Sequence, residues 1–172
     1  MPGMNITEQT KQYALRCHRE THHLYDAQPY EIHLQMVVAA AERFIHLIPE
    51  AARQEVIAGC WVHDCIEDCR QTYNDVKKAT SEAVAELAYA LTNEKGRSRQ
   101  ERANDKYYAD MKATPYAVFI KYCDRIANVT YAKQKGSRMF GVYQAEVDDF
   151  ITKIHQSPYD EMAAYLRSLF EK

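Results

Sequence analysis

Residues 29–47 have the sequence PYEIHLQMVVAAAERFIHL, in which apolar residues return every three or four positions. The positions that share one face under this spacing are Ile32, Met36, Val37, Ala40, Phe44 and Leu47. Such spacing is typical of an amphipathic α-helix, and Pro29 stands where a proline is tolerated, at the first turn. The stretch therefore predicts a helix from about residue 30 to residue 47 with one buried face.

The same spacing recurs in most of the chain. It predicts further helices at about residues 7–22, 49–67, 72–78, 81–91, 100–111, 115–133, 142–155 and 158–170, with a polar loop at 93–98. Long strand-like alternation and glycine-rich hairpin dipeptides are absent from the sequence. We therefore expect an all-α fold in which residues 1–172 form a single domain, since a second domain would need roughly another 100 residues.

Composition argues against several classes of protein. The 22 Lys and Arg residues against 24 Asp and Glu give a formal charge of −2, without the basic excess of a nucleic-acid-binding protein. No apolar stretch is long enough to span a bilayer, and the first ten residues do not resemble a secretory signal. Five cysteines, an odd number, favour reduced thiols. We expect a cytoplasmic protein that binds neither a membrane nor a nucleic-acid polymer.

The segment WVHDCIED, residues 61–68, places an imidazole and three carboxylates within six residues. On a continuous helix His63 and Glu67 would share a face, and so would Asp64 and Asp68. Carboxylates crowded against apolar neighbours repel one another unless they are protonated or hold a cation. The segment therefore fits a metal site or, alternatively, a charged helix end that is exposed to water.

Two distant residues strengthen the metal interpretation. His33 and Asp124 each lie in an otherwise apolar helical segment, and a buried aspartate is rare without a partner. Together with His63 and Asp64 they would supply two neutral nitrogens and two carboxylates, a set that suits Mn²⁺, Fe²⁺ or a similar ion. The alternatives are a hydrogen-bonded core histidine at position 33 and an Asp124 that pairs only with Arg125 or a helix end.

The order of these motifs resembles the HD-domain metal-dependent phosphohydrolases. The likeness is greatest to the hydrolase domain of the RelA/SpoT alarmone enzymes and to the small alarmone hydrolases, and it extends from about residue 14 to residue 170. The segments that carry it are Pro29-Tyr30-Glu31-Ile32-His33, His63-Asp64-Cys65-Ile66-Glu67-Asp68, Leu91-Thr92 followed by Glu101-Arg102, and Asp124-Arg125-Ile126-Ala127-Asn128. The resemblance implies an HD-type helical bundle.

The resemblance also implies roles for individual residues. The implied ligands of a Mn²⁺ ion, or of another divalent transition metal, are His33, His63, Asp64 and Asp124. Glu67 and Asp68 would position and activate the attacking water, and Asn128 would contact the nucleotide or the network around the metal. The implied activity is the removal of the 3′-pyrophosphate from (p)ppGpp or a closely related purine alarmone.

One departure from the family leaves other functions open. The family usually carries an Arg-Lys pair shortly before Pro-Tyr, where this chain has Leu24-Tyr25-Asp26-Ala27-Gln28. One alternative is therefore an HD-domain phosphohydrolase for another nucleotide, either 5′-nucleotidase-like or of the ppApp type. The other is a catalytically silent nucleotide-binding module.

Further substrate contacts can be proposed from residue type and position. Tyr25 could stack on a base, and Tyr143 could line the ribose side, although packing is the alternative for any tyrosine in a chain with 13. Arg102 is the strongest candidate for a phosphate contact in a cationic group that could equally be a solvated surface. The members of this group are Lys95, Arg97, Arg99, Arg102 and Lys106.

The remaining histidines and cysteines near these motifs are expected to be structural. His18, His22 and His23 are interpreted as surface residues. The cysteines of the group Cys60, Cys65 and Cys69 are five and four residues apart rather than in Cys-x-x-Cys pairs. That spacing favours buried thiols over a zinc site.

Overall fold

The computed structural model describes residues 3–93 and 96–172, which form α-helices and one short hairpin. The helices are α1 (Ile6–Glu20), α2 (Glu31–Arg43), α3 (Arg53–Val62), α4 (Cys65–Asp68), α5 (Tyr73–Ala79), α6 (Glu82–Ala90), α7 (Arg99–Arg102), α8 (Asp105–Ala113), α9 (Ala117–Lys135), α10 (Met139–Ile154) and α11 (Asp160–Ser168). Short 3₁₀ turns at Ile45–Leu47 and Glu50–Ala52 join α2 to α3. The predicted all-α fold class is confirmed.

Helix α9 is the central element of the bundle. It packs against α2, α3, α8, α10 and α11. Phe119, Ile120 and Tyr122 on this helix are fully buried, because neighbouring helices cover several of its faces. Gly136, with φ of 63°, ends the helix in a left-handed conformation that glycine adopts without steric cost. A polar residue in the middle of α9 is therefore surrounded by other helices.

The remaining helices pack in pairs around this centre. Helix α1 lies on α3, α2 lies on both α3 and α9, and α6 contacts α3 and α5. Nearly all buried apolar side chains of the described residues form one hydrophobic core. The assignment of residues 1–172 to one domain stays a prediction. In the described part of the chain, no helix combines the length and the apolar character needed to cross a membrane.

Local capping explains where several helices begin. Thr72 and Asp75 form a capping box at the start of α5, in which each side chain accepts a hydrogen bond from the other residue's backbone N–H. Ser81 caps α6 by accepting from the N–H of Val84 at 3.2 Å. Both helices therefore start next to residues that the sequence marks as caps.

The helix predicted for residues 49–67 is wrong as a single element. It is divided at His63 and Asp64 into α3 and α4. Nδ1 of His63 lies 2.7 Å from the carbonyl oxygen of Cys60, the group to which the N–H of Asp64 would donate in a continuous helix. The predicted helix over residues 100–111 is also divided, because Asn104 caps a new helix by accepting from the N–H of Tyr107 at 3.0 Å.

A short hairpin connects α1 to α2. Strands β1 (Leu24–Tyr25) and β2 (Gln28–Pro29) pair antiparallel across a turn in which Asp26 and Ala27 have φ of 50° and 64°. The sequence offers no glycine here, and Ala27 is an unusual residue at positive φ. A tertiary contact supports the turn, since the hydroxyl of Tyr131 donates to Asp26 Oδ2 at 2.6 Å.

One of the three histidines expected on the surface is buried. His22 is exposed and His23 is half-buried, but His18 has only 2% of its surface exposed. The ring of His18 is covered by the ring of Tyr30, with centroids 4.5 Å apart. The prediction that His18 lies on the surface is therefore wrong. The prediction for the cysteines is confirmed, since Cys60, Cys65 and Cys69 are buried free thiols in the core.

Candidate active site

Four side chains from three parts of the chain converge at the centre of the bundle. They are His33 on α2, His63 and Asp64 at the break between α3 and α4, and Asp124 on α9. One donor atom of each residue lies within 4.8 Å of the donor atoms of the others. Nε2 of His33 is 2.8 Å from Asp124 Oδ1, and Nε2 of His63 is 3.0 Å from Asp64 Oδ2. The four residues form a group that could hold a metal ion.

The orientation of His63 fits metal binding. Its Nδ1 lies 2.7 Å from the carbonyl oxygen of Cys60, so an Nδ1–H donates to that carbonyl. Nε2 then faces the two carboxylates, at 3.0 Å from Asp64 and 3.3 Å from Asp124. Metal-binding histidines are commonly fixed by such a bond from the second ring nitrogen.

The second imidazole is held differently. Nδ1 of His33 is buried and has no hydrogen-bond partner among the described residues. The ring is instead stacked on Tyr25, with centroids 4.7 Å apart and planes 20° apart. Packing therefore fixes the direction in which Nε2 of His33 points.

The electrostatics of the group favour a positive charge at its centre. Burial works against ionisation of Asp64, but the nearby His63 lowers the pKa of Asp64 to about 2. The pKa of Asp124 is likewise well below its usual range, because hydrogen bonds with His33 and His63 outweigh burial. The pKa of His63 is raised well above its usual value because the two carboxylates overcome the effect of burial. Two ionised carboxylates and two imidazoles fit a divalent transition-metal ion.

Two further residues contact the carboxylates of this group. The hydroxyl of Tyr30 donates a short hydrogen bond to Oδ2 of Asp64. Nζ of Lys121 lies 3.6 Å from Oδ2 of Asp124, and Tyr107 and Asp124 raise the pKa of Lys121 although burial opposes this. The phenol therefore contacts the same oxygen of Asp64 that lies near His63, whereas the charged amine contacts the oxygen of Asp124 other than the one near the imidazoles.

The group lies at the base of a cleft of about 340 Å³. Glu67 and Asp68 on α4 line this cleft, and both side chains remain accessible from it. Partial desolvation and the negative charge of Asp64 raise the pKa of Glu67 above its usual value. The same effects, with Glu67 adding to them, raise the pKa of Asp68 to about 8. The cleft therefore holds one carboxylic acid that keeps its proton near neutral pH.

Cationic side chains line other parts of the cleft. They are Arg99, Arg102, Lys121 and Arg125. Nη2 of Arg99 is 2.8 Å from Glu146, and the guanidinium of Arg125 lies 4.0 Å from the ring centroid of Phe150. A cleft with a carboxylate group at its base and guanidinium groups around it suits a ligand that carries several phosphates.

No family model matches the sequence. Among solved structures, this chain is similar to a metazoan ortholog of SpoT, a protein that hydrolyses ppGpp and plays a role in starvation responses, with a TM-score of 0.75. The likeness covers 99% of this chain and 96% of that chain, at 19% sequence identity. This chain shares the fold of that SpoT ortholog, a SpoT-type fold. The resemblance drawn from the sequence motifs is thereby confirmed at the level of the fold.

Within this SpoT-type fold, most of the predicted site residues come together. The predicted ligands form the group at the base of the cleft, and the cleft is lined by Glu67, Asp68, Arg102, Asn128 and Tyr143. Tyr25 does not line the cleft. Its hydroxyl donates to Oδ1 of Asn128 at 2.8 Å and its ring covers His33. The roles assigned to all these residues stay predictions.

The predicted cationic group is divided in the SpoT-type fold. Arg99 and Arg102 line the cleft, Lys106 lies at a smaller cavity of about 100 Å³, and Arg97 lines neither. Lys95, the fifth member, lies outside the described residues.

Arg125 does not pair with Asp124, since its nearest carboxylate contact is Glu146 at 3.8 Å.

Sequence reasoning missed Tyr30, Lys121 and Arg125 as parts of the site. Tyr30 and Arg125 stand inside the motifs Pro-Tyr-x-x-His and Asp-Arg-x-x-Asn, so their positions within the motifs were an available signal. Lys121 precedes Asp124 by three residues on α9, a spacing that places both on one helix face. Its position as a lysine in an otherwise apolar helix segment was a further signal that Lys121 belongs to the site.

Proposed function

We propose that this chain is a divalent-metal-dependent hydrolase that removes the 3′-pyrophosphate of (p)ppGpp or of a closely related purine alarmone. The observation that carries the proposal is the convergence of two imidazoles and two ionised carboxylates at the base of a cleft with guanidinium groups around it. The similarity in fold to a protein that hydrolyses ppGpp supports the choice of substrate. We propose Mn²⁺ as the native ion, since the donor set suits it.

A divalent cation held by His33, His63, Asp64 and Asp124 would act as a Lewis acid, making water more acidic and neutralising charge on a phosphoryl oxygen. The chain's own residues supply the geometry around it. Tyr30 holds Oδ2 of Asp64, the oxygen that also lies near His63, and Lys121 holds Oδ2 of Asp124, whose Oδ1 faces both imidazoles. The four side chains are thus held in position before the substrate binds. The entropy lost in ordering them therefore does not add to the activation free energy of the reaction.

Glu67 and Asp68 are proposed to move protons. In the reaction the oxygen of water bonds to the phosphorus that carries O3′, the bond from that phosphorus to O3′ breaks, and O3′ takes up a proton. Glu67 would accept the proton of the water, and Asp68, whose pKa is raised to about 8 in the protein without an ion, would return a proton to O3′. Two neighbouring carboxyl groups, one ionised and one protonated, are suited to this division of roles.

Arg99, Arg102 and Arg125 are proposed to bind the phosphates that do not react. Their guanidinium groups line the cleft, and Arg125 is held in place by the ring of Phe150. Guanidinium groups bind phosphate oxygens through paired hydrogen bonds, so they can fix the orientation of a bis-diphosphate. Asn128 and Tyr143 line the same cleft and are proposed to contact the nucleoside.

One observation favours a second candidate, the hydrolysis of a different nucleotide. In the hairpin that stands in place of the family's Arg-Lys pair, Tyr25 is engaged with Asn128 and His33 rather than open to the cleft. Asp26 is likewise engaged with Tyr131. The described residues therefore offer no stacking contact for guanine from this hairpin, and the site would select its base less strictly.

The test is a product analysis with purified protein. In separate incubations, the protein and Mn²⁺ are mixed with one nucleotide each: ppGpp, pppGpp, ppApp or an ordinary nucleoside triphosphate. The products are separated by anion-exchange chromatography. The proposal expects ppGpp to yield GDP and pyrophosphate in equal amounts. Release of inorganic phosphate would place the cut at a different bond and contradict it.

The same panel separates the alternatives. Turnover of ppApp or a 5′-nucleotide without turnover of ppGpp would support the second candidate. Nucleotide binding without turnover, under Mn²⁺, Fe²⁺, Co²⁺ and Zn²⁺ alike, would show a catalytically silent module. The variant Asp124→Asn is the control, because it keeps the side-chain shape while removing a charge that the proposed ion requires.

A further inference from the structure

A second group of metal-binding side chains lies outside the cleft. It consists of His18, His23 and Cys69, and one donor atom of each lies within 4.8 Å of the other two. Nδ1 of His18 is 2.9 Å from Nδ1 of His23 and 3.2 Å from Sγ of Cys69. We propose that these three residues form a second metal site, which binds Zn²⁺.

The ends of two helices build this group. Helix α1 ends with a Schellman motif, in which the N–H of His23 donates to the carbonyl of His18 at 3.0 Å and the N–H of His22 to that of Arg19 at 3.1 Å. His22 has the positive φ of 53° that the motif requires. This turn folds His23 back over His18 although the two are five residues apart in the sequence. Cys69 follows the last residue of α4.

A single two-centre hydrogen bond does not account for both contacts of His18 Nδ1. A histidine Nδ1 carries either one hydrogen or one lone pair, yet that of His18 faces both a second imidazole nitrogen and a sulfur. A cation at the centre would accept a lone pair from each of the three donors. Around a tetrahedral zinc with Zn–N of about 2.0 Å and Zn–S of about 2.3 Å, the donors lie about 3.3 to 3.6 Å apart. The two separations from His18 Nδ1 need to widen by less than about 0.5 Å to reach these values, and the third pair of donors, on His23 and Cys69, lies within 4.8 Å.

The surroundings favour a zinc ion over a harder cation. His18 and Cys69 are 2% and 1% exposed, and His23 is half-buried, so one side of the group opens toward solvent. Hydrogen bonding with Cys65, together with His18, lowers the pKa of Cys69 to about 5 in spite of burial. A cysteine sulfur with two imidazole nitrogens is a donor set for zinc, whereas Mg²⁺ and Ca²⁺ prefer oxygen ligands.

The second metal site consists of different residues from the cleft group and can be measured independently of the proposed function. Only the second site contains sulfur, so a thiolate-to-metal charge-transfer band reports on it alone. Reduced, metal-free protein is titrated with Co²⁺, which gives such a band in the near ultraviolet, and then with Zn²⁺. We expect the band to form with Co²⁺ and to disappear as Zn²⁺ displaces it.

Matched variants assign the ligands. Cys69→Ala and His23→Ala should each abolish the band, while Cys123→Ala, which removes a buried thiol elsewhere, and His46→Ala, which removes an exposed imidazole, should keep it. His23 is half-buried, so His23→Ala carries the test if Cys69→Ala does not fold. Asp64→Ala should keep the band, since that residue belongs to the other group.

Metal analysis after gel filtration completes the test. We expect protein loaded with Zn²⁺ to hold one more ion per chain than the His23→Ala variant. The absence of a charge-transfer band at saturating Co²⁺ would overturn the proposal, and so would a band that persists in Cys69→Ala or His23→Ala.

Discussion

The two groups of metal-binding side chains differ in their donors and in how the chain builds them. The group in the cleft combines two imidazoles with two carboxylates, and its members come from distant helices. The second group, His18, His23 and Cys69, has a thiol and no carboxylate, and it forms where α1 and α4 end. Carboxylate ligands suit a catalytic ion whose remaining coordination positions are taken by water or substrate. Sulfur ligands suit a softer ion, such as zinc, that is bound permanently in a structural site.

One residue lies between the two groups. The ring of Tyr30 is stacked on His23, with centroids 3.9 Å apart, and its hydroxyl donates to Asp64. Each group can therefore be changed separately, or both can be changed through Tyr30. This arrangement lets variants test whether the groups are independent.

The variant with the largest expected effect should destroy the cleft group and leave the second group intact. Asp64→Ala removes a carboxylate that lies 3.0 Å from His63 Nε2 at the centre of the cleft group, so we expect loss of the Mn²⁺ site and of hydrolysis. The Co²⁺–thiolate band should remain. Activity assays and metal analysis measure the first two effects, and Asp149→Ala, an exposed aspartate on α10, is the control. Retained hydrolysis in Asp64→Ala would contradict the assignment of the catalytic centre.

The next effect tests the division of roles within the cleft. Glu67→Ala should keep the Mn²⁺ ion but lower kcat by about 10²-fold or more, as expected for the loss of a general base. Glu67→Gln, which keeps the shape of the side chain, should be as slow. Single-turnover assays at saturating Mn²⁺ with metal analysis check this. Loss of the ion in either variant would make Glu67 a ligand and contradict the proposed role.

The cleft group could be anticipated from the sequence because its motifs constrain it. His33 and Asp124 stand out because each is polar in an apolar helical segment. His63 and Asp64 stand out because they belong to a cluster of carboxylates, and the order of all four residues resembles that of a known family. Helix spacing also predicted most elements, including α9, because one buried face requires apolar residues every three or four positions.

The parts that could not be anticipated depend on tertiary contacts. The break before α4 requires the side chain of His63 to reach the carbonyl of Cys60, and nothing in the helical spacing signals this. The hairpin turn at Asp26 and Ala27 is supported by Tyr131, which is remote in sequence. His18 and Cys69 are similarly remote, so a search for close cysteine spacing could not find their contact.

Tyr30→Phe should affect only one group. The phenyl ring keeps the stack on His23 and His18, whereas the hydrogen bond to Asp64 is lost. Residues that orient metal ligands typically contribute about 10-fold or more to metal affinity. We expect Mn²⁺ affinity to fall by about 10-fold, with the Co²⁺–thiolate band unchanged. Competition with a fluorescent chelator measures the affinity, and a weakened band would show that the hydroxyl serves both groups.

The smallest expected effect is a difference in the number of protons that each group releases when it binds its metal ion. The pKa of His63 lies well above 6.5 because Asp64 and Asp124 hold its proton, so His63 is charged at pH 7 without a metal ion. A cation must displace that proton, and Mn²⁺ binding should release at least about one proton per ion and strengthen as the pH rises. In the second group the pKa of Cys69 is lowered to about 5, and burial lowers that of His23, so both are already deprotonated at pH 7.

Zn²⁺ binding at the second group should therefore release few protons from these two residues and depend less on pH. Calorimetric titrations in buffers of different ionisation enthalpy give the number of protons directly. Cys69→Ala isolates the cleft group in these titrations, and Asp64→Ala isolates the second group. Equal release from the two variants would mean that the carboxylates do not hold a proton on His63, and the electrostatic contrast between the groups would fail.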